Sequence, residues 1–176
     1  ERMKKYKYLY VDGYNVIGQR VELSQLTHNE LLEERRLLIE QLQNLSTTLA
    51  DEVICVFDAY NVKSKESVEV TLGVTVVYTK EQQTADHYIE EQVGLKYNMH
   101  TTEVIVVTSD LSEQYSAFFQ GAKRMSSREF NKLIQYEQKN ISDIISAKKS
   151  KTPRSKIEIS DEIYTKLDKL RRNITD

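Results

Sequence analysis

Four aspartates stand out in the sequence, three of them at or just beyond the ends of apolar runs. Asp12 follows Tyr8-Leu9-Tyr10-Val11, Asp58 follows Val53-Ile54-Cys55-Val56-Phe57, and Asp110 follows Val104-Ile105-Val106-Val107-Thr108-Ser109. Asp86 closes Lys80-Glu81-Gln82-Gln83-Thr84-Ala85-Asp86. Carboxylates gathered at one place repel one another unless a cation sits among them, and hard oxygen donors select Mg²⁺ or Mn²⁺. A divalent ion so held polarises a phosphoryl oxygen, lowers the pKa of a water and stabilises a leaving 3′ oxygen. The pattern implies metal-assisted chemistry on a phosphate. Each residue alone has a plainer explanation: an Asx-turn at Asp12-Gly13, a macrodipole partner at Asp86, a capping box at Asp110 and Glu113. Capping does not explain one residue type recurring at the end of strand after strand.

Several neighbours could serve such a site. Asn15, three residues after Asp12, could orient that carboxylate, hold a water or satisfy loop amides. Ser109 and Thr108 offer hydroxyls at the same place, and Glu90 follows Asp86 by one helical turn on the same face. No Ser-His-Asp order, Cys-His pair, CxxC or glycine-rich phosphate loop competes. The single cysteine, Cys55, lies inside an apolar run, so it reads as a buried small hydrophobe and no disulfide framework is possible. Of eleven tyrosines, Tyr14 and Tyr60 fall in loops where a ring could stack on a base, whereas Tyr10 and Tyr78 read as strand packing.

The elements that must position these residues follow from periodicity. Lys7–Val11, Val53–Phe57 and Val104–Thr108 read as strands, with Val68–Leu72 and Val74–Tyr78 flanking Gly73 as two short ones or one bent one. A loop through Gly13 and Gly18 leads to a long helix from Asn29 to Leu49, its stripe formed by Leu31, Leu38, Leu42, Leu45 and Leu49. Thr84 reads as the N-cap of a helix running to about Asn98. Further helices follow Asp110 and start near Ser126. Fully apolar strands alternating with helices predict a three-layer α/β/α sandwich around a mostly parallel sheet. Ligands of such sheets bind beyond the carboxyl ends of the strands, where these aspartates stand.

At 176 residues and 20.6 kDa the chain is long enough for one domain with a real core. Residues 1–6 read as an extension with Met3 as the natural start, 7–144 as the catalytic domain, and 145–176 as a basic linker plus a last helix, Asp161–Arg172, packed on it. No run reaches membrane-span length and no disulfides are possible, which fits a cytoplasmic protein. The net charge of -2 hides basic groups. These are Lys63 and Lys65; Lys123, Arg124 and Arg128; and a C-terminal stretch with Lys148, Lys149 and Lys151. Clusters of this kind suit phosphate contact.

Taken in order, Tyr10-Val11-Asp12-Gly13-Tyr14-Asn15-Val16-Ile17-Gly18, Val56-Phe57-Asp58-Ala59, Thr84-Ala85-Asp86 with Ile89-Glu90, and Val107-Thr108-Ser109-Asp110 resemble the NYN domain family, and within it the bacterial YacP-like branch. Phe119-Gln120-Gly121-Ala122 and Ser126-Ser127-Arg128-Glu129 match that branch too. The resemblance implies a PIN-like α/β/α fold and single-strand RNA cleavage dependent on Mg²⁺ or Mn²⁺. It carries the acidic site onto Asp12, Asp86 and Asp110, with Asp58 in support and Asn15 matching the family's asparagine. It also implies a ribosome partner and mRNA cut in the decoding site, with the basic groups as RNA contacts. Two other readings stay open. One is a non-catalytic RNA- or ribosome-binding module. The other is a haloacid-dehalogenase-like phosphatase, against which Tyr14 stands where that family needs its second aspartate.

Overall fold

A computed structural model describes residues 4–59, 65–150 and 165. The chain divides into two compact units, Glu1–Gln135 and Tyr136–Asp176. In chain order the elements are β1 (Tyr6–Asp12), α1 (Gly13–Gly18), α2 (His28–Leu49), β2 (Glu52–Phe57), β3 (Ser67–Thr71), β4 (Val74–Tyr78), α3 (Ala85–Lys96), β5 (Thr102–Val107), α4 (Leu111–Phe119), β6 (Lys123–Met125) and α5 (Ser127–Ser150).

The strands form one sheet in the order β3-β4-β2-β1-β5-β6, parallel except for the β3–β4 hairpin. Side chains alternate across a strand, so each buried strand feeds two cores. Leu9, Val11, Val53, Cys55, Phe57, Val74 and Val76 pack with the Leu38, Leu42, Leu45 and Leu49 stripe of α2, with α1, and with Phe130 and Ile134 of α5. Tyr10, Ile54, Val56, Val77, Val104 and Val106 face the other way, against Ala85, Ile89 and Val93 of α3 and Ala117 of α4. The three-layer sandwich is therefore present, and Cys55 is buried in it as expected.

Gly73 is required by its turn: Leu72 and Gly73 both take positive φ (43° and 83°), the geometry of a tight hairpin, so the segment is two strands and not one bent strand. Gly13 is required by packing, since a Cβ there would stand 2.3 Å from the buried Phe57 ring. The chain around it is helical, not the loop suggested by two glycines. The helix begun at Thr84 ends at Lys96, with Tyr97 as its C-cap. In the second unit the described residues are 136–150, the helical continuation of α5, and Thr165; the stretch read as a linker from Ile145 is thus helical as far as Ser150. The helix expected over 161–172 lies outside the described residues, Thr165 apart. Among the described residues no helix is long and apolar enough to cross a membrane.

Candidate active site

Because β1, β2, β4 and β5 run parallel, their carboxyl ends share one rim. The connection after β1 leads to helices on one face of the sheet and that after β5 to α4 on the other. A crevice opens between neighbouring strands where the connections part in this way. There an open depression of about 420 Å³ is lined by Asp12, Asn15, Asp58, Asp86, Asp110 and Glu113, with Tyr14, Leu23, Thr84 and Ala85. Four aspartates far apart in sequence are brought together.

Each is held by its own element. Asp12 ends β1 as the N-cap of α1, accepting from the Asn15 backbone N–H at 3.4 Å. Asp86 lies in the first turn of α3, whose N-cap Thr84 accepts from the His87 N–H at 3.3 Å. Asp110 accepts from the backbone N–H and hydroxyl of Ser112, at 2.9 and 2.7 Å. The Ser112 bond, above all, holds the Asp110 carboxyl below its ordinary range, so it stays ionised.

Glu113 departs from the capping-box expectation. The Asp110 N–H donates instead to Thr108 Oγ1 at 3.1 Å, and the Glu113 carboxyl turns into the depression beside Asp12, only 3% exposed. Neither of its oxygens receives a well-formed hydrogen bond. Burial first, then the Asp12 charge, push Glu113 far above the carboxylate range. Burial also raises Asp12, opposed by its contacts to Glu113 and the Asn15 N–H and reinforced by the charges of Asp86 and Asp58. A buried carboxyl set against a half-buried one needs a shared proton or a cation. Among the described residues no three ligand side chains are already grouped around one point as a metal cage. The chemistry of the donor set nevertheless fits a divalent ion: hard oxygens, the buried Glu113 carboxyl beside Asp12, and two carboxylate oxygens without donors.

Asn15 serves mainly as a clamp. Its Oδ1 accepts from the Ser109 N–H at 2.8 Å and the Ser127 hydroxyl at 2.6 Å, and Ser109 Oγ accepts from the Ser127 N–H at 3.1 Å. Three segments far apart in sequence are locked at the rim this way.

The family model for the YacP-like NYN domain matches residues 9–172. The chain belongs to the YacP-like NYN domain family. It is 36% identical to the protein YacP of Bacillus subtilis (strain 168) over 168 residues, 96% of this chain and 98% of that protein. The crystal structure of Rae1 (YacP) from Bacillus subtilis superposes with a TM-score of 0.69 at 36% identity, covering 97% of this chain and 95% of that one. A mutant of the same protein gives 0.66 at 35% identity, covering 86% and 88%. The family and the PIN-like α/β/α fold read from the motifs are those found.

Other expected residues of this YacP-like chain are placed differently. Glu90 lines a separate depression with His87, Glu91, Gly94, Leu95 and Gln120. It shares a helix face with Asp86 but lies about 6 Å further along the axis, away from the rim. Tyr14 does line the acidic depression, yet it is 7% exposed and packs edge-on against Phe57, not as an open stacking platform. Lys123 pairs with Glu103 at 3.0 Å. Arg124 and Arg128 line a neighbouring depression. Lys65, Lys148 and Lys149 are exposed, whereas Lys63, Lys151 and Tyr60 lie outside the described residues.

Glu113 is the site residue that the sequence does not announce. Its spacing from Asp110 was visible, but Asp-x-x-Glu at a helix start has the same spacing whether the glutamate caps backbone or turns inward.

Proposed function

We propose that this chain is a divalent-metal-dependent endoribonuclease that cuts single-stranded RNA, with mRNA on the ribosome as its substrate and the cytoplasm as its location. The observation that carries the reading is the set of five carboxyls lining one depression at the sheet's crevice, with Glu113 buried against Asp12. Asp12, Asp86, Asp110 and Glu113 would hold Mg²⁺ or Mn²⁺, with Asp58 in support. When bound, the ion supplies Lewis-acid stabilisation of the charge that builds on the phosphate.

The chain's own residues do the rest. Asp110, kept ionised by Ser112, offers a constant negative charge at the rim. The Asp12–Glu113 pair can hold a proton in the absence of a cation and release it when one binds. The Asn15 clamp keeps the β1 and β5 ends at fixed separation, so the carboxylates are preorganised instead of being gathered by the substrate. Exposed Lys65, Lys148 and Lys149 are the proposed contacts to ribosomal RNA, together with Lys63 and Lys151.

The test is cleavage of a free single-stranded RNA in Mg²⁺ or Mn²⁺ by the parent chain and by Asp86→Asn. Cuts by the parent that vanish in EDTA and in the variant are expected. An Asp86→Asn protein that cuts at the parent's rate refutes the assignment of the site.

A further inference from the structure

We propose that the depression between α4 and α5 is a binding site for the phosphodiester backbone of single-stranded RNA, next along the strand from the cleavage point. The inference rests on the nuclease reading and adds where the substrate's flanking phosphate is held. The depression measures about 450 Å³ and is lined by Gln19, Ser109, Arg124, Ser126, Arg128 and Glu129, among others. It adjoins the acidic depression directly: Ser109 lines one and Asp110, the next residue, lines the other.

An acidic depression repels a polyanion, so attraction for the substrate must come from beside it. Arg124 and Arg128 supply two exposed guanidinium groups against one lining carboxylate, Glu129, which accepts from the Ser126 hydroxyl at 3.1 Å. Guanidinium forks match phosphate oxygens two at a time.

Arg124 pairs in register with Val106, one residue before the end of β5, so it reaches the rim carrying Asp110. Arg128 occupies the first turn of α5, immediately after Ser127, which the Asn15–Ser109 clamp fastens to that rim. The clamp therefore fixes the two depressions relative to each other.

The test is fluorescence anisotropy of a labelled RNA of about ten nucleotides, in EDTA, across a salt series. Arg124→Ala/Arg128→Ala should weaken binding by about tenfold or more and flatten the slope of log affinity against log salt by about 1.4, roughly 0.7 per lost phosphate contact. Arg124→Lys/Arg128→Lys, which keeps the charge but not the fork, should keep the parent's salt slope while recovering only part of the affinity. Lys4→Ala/Lys5→Ala, which removes the same charge before the start of β1 at the opposite end of the sheet, should bind like the parent. Parent-like binding by the arginine-to-alanine protein, or a salt slope in the lysine variant as flat as that of the alanine protein, overturns the proposal. Cleavage in Mg²⁺, measured separately, tells the two readings apart. Arginine-dependent binding without any cleavage sinks the nuclease and spares the subsite, whereas cleavage with arginine-independent binding does the reverse.

Discussion

Replacing Glu113 with glutamine tests the Asp12–Glu113 carboxyl pair. In the parent the Glu113 proton can bridge to Asp12; in Glu113→Gln an amide N–H takes that place at every pH. The two proteins should match in stability at mildly acidic pH, where Glu113 is protonated in the folded state. Its folded pKa is raised, to about 9, against 4.5 for the unfolded chain. In that interval the folded state binds the extra proton, so its stabilising effect is present below about pH 4.5 and is lost as pH rises toward 9. Linkage sets the slope at just over 1 kcal/mol per pH unit, so between pH 5 and pH 7 the parent should lose up to about 3 kcal/mol relative to the variant. For a chain of this size that is a Tm gap of roughly 6–12 °C opening with pH. The assay is thermal denaturation of both proteins across that range in EDTA. Added Mg²⁺ should close the gap by stabilising the parent more than the variant. Parallel Tm profiles in EDTA would show that Glu113 is not held against Asp12 as described.

Two other perturbations separate the clamp from the periphery. Asn15→Ala strips the acceptor from the Ser109 N–H and from the fully buried Ser127 hydroxyl, and should cost about 1–3 kcal/mol in chemical denaturation, together with a fall in cleavage rate. Full activity at unchanged stability would mean the clamp does not position the rim. Lys148→Glu/Lys149→Glu should weaken co-sedimentation with ribosomes, most at low salt, without changing cleavage of free RNA. Undiminished co-sedimentation would remove those lysines from the interface.

Much of this was legible in the sequence because the chemistry sits where strands end. Val53–Phe57 and Val104–Val107 are apolar on both faces, so they announce a covered parallel sheet and place Asp58 and Asp110 at its rim. Thr84 and Asp86 declare a helix start by residue type alone. What escaped depends on partners distant in sequence. β6 is Lys-Arg-Met, with no apolar pattern, and is a strand only through its pairing with Ile105–Val107. The Gly13–Gly18 helix was hidden because glycine signals a turn; Gly13 instead makes room for the ring of Phe57. Of the roles open to Asn15 in the sequence it takes that of satisfying a loop amide, but its partners Ser109 and Ser127 lie roughly a hundred residues on and no local pattern names them. Glu90 was assigned by helical periodicity, which fixes the face of α3 but not the distance from the rim.

The central claim is that the carboxylates around Asp12 cut RNA. Its most direct test is to supply an mRNA being translated on ribosomes, in Mg²⁺, to the parent chain and to Asp12→Asn, and to map the RNA ends. Discrete cuts made by the parent and absent with a folded Asp12→Asn protein are the predicted result. Identical cuts from both proteins, or ribosome binding by the parent with no cuts at all, would contradict it.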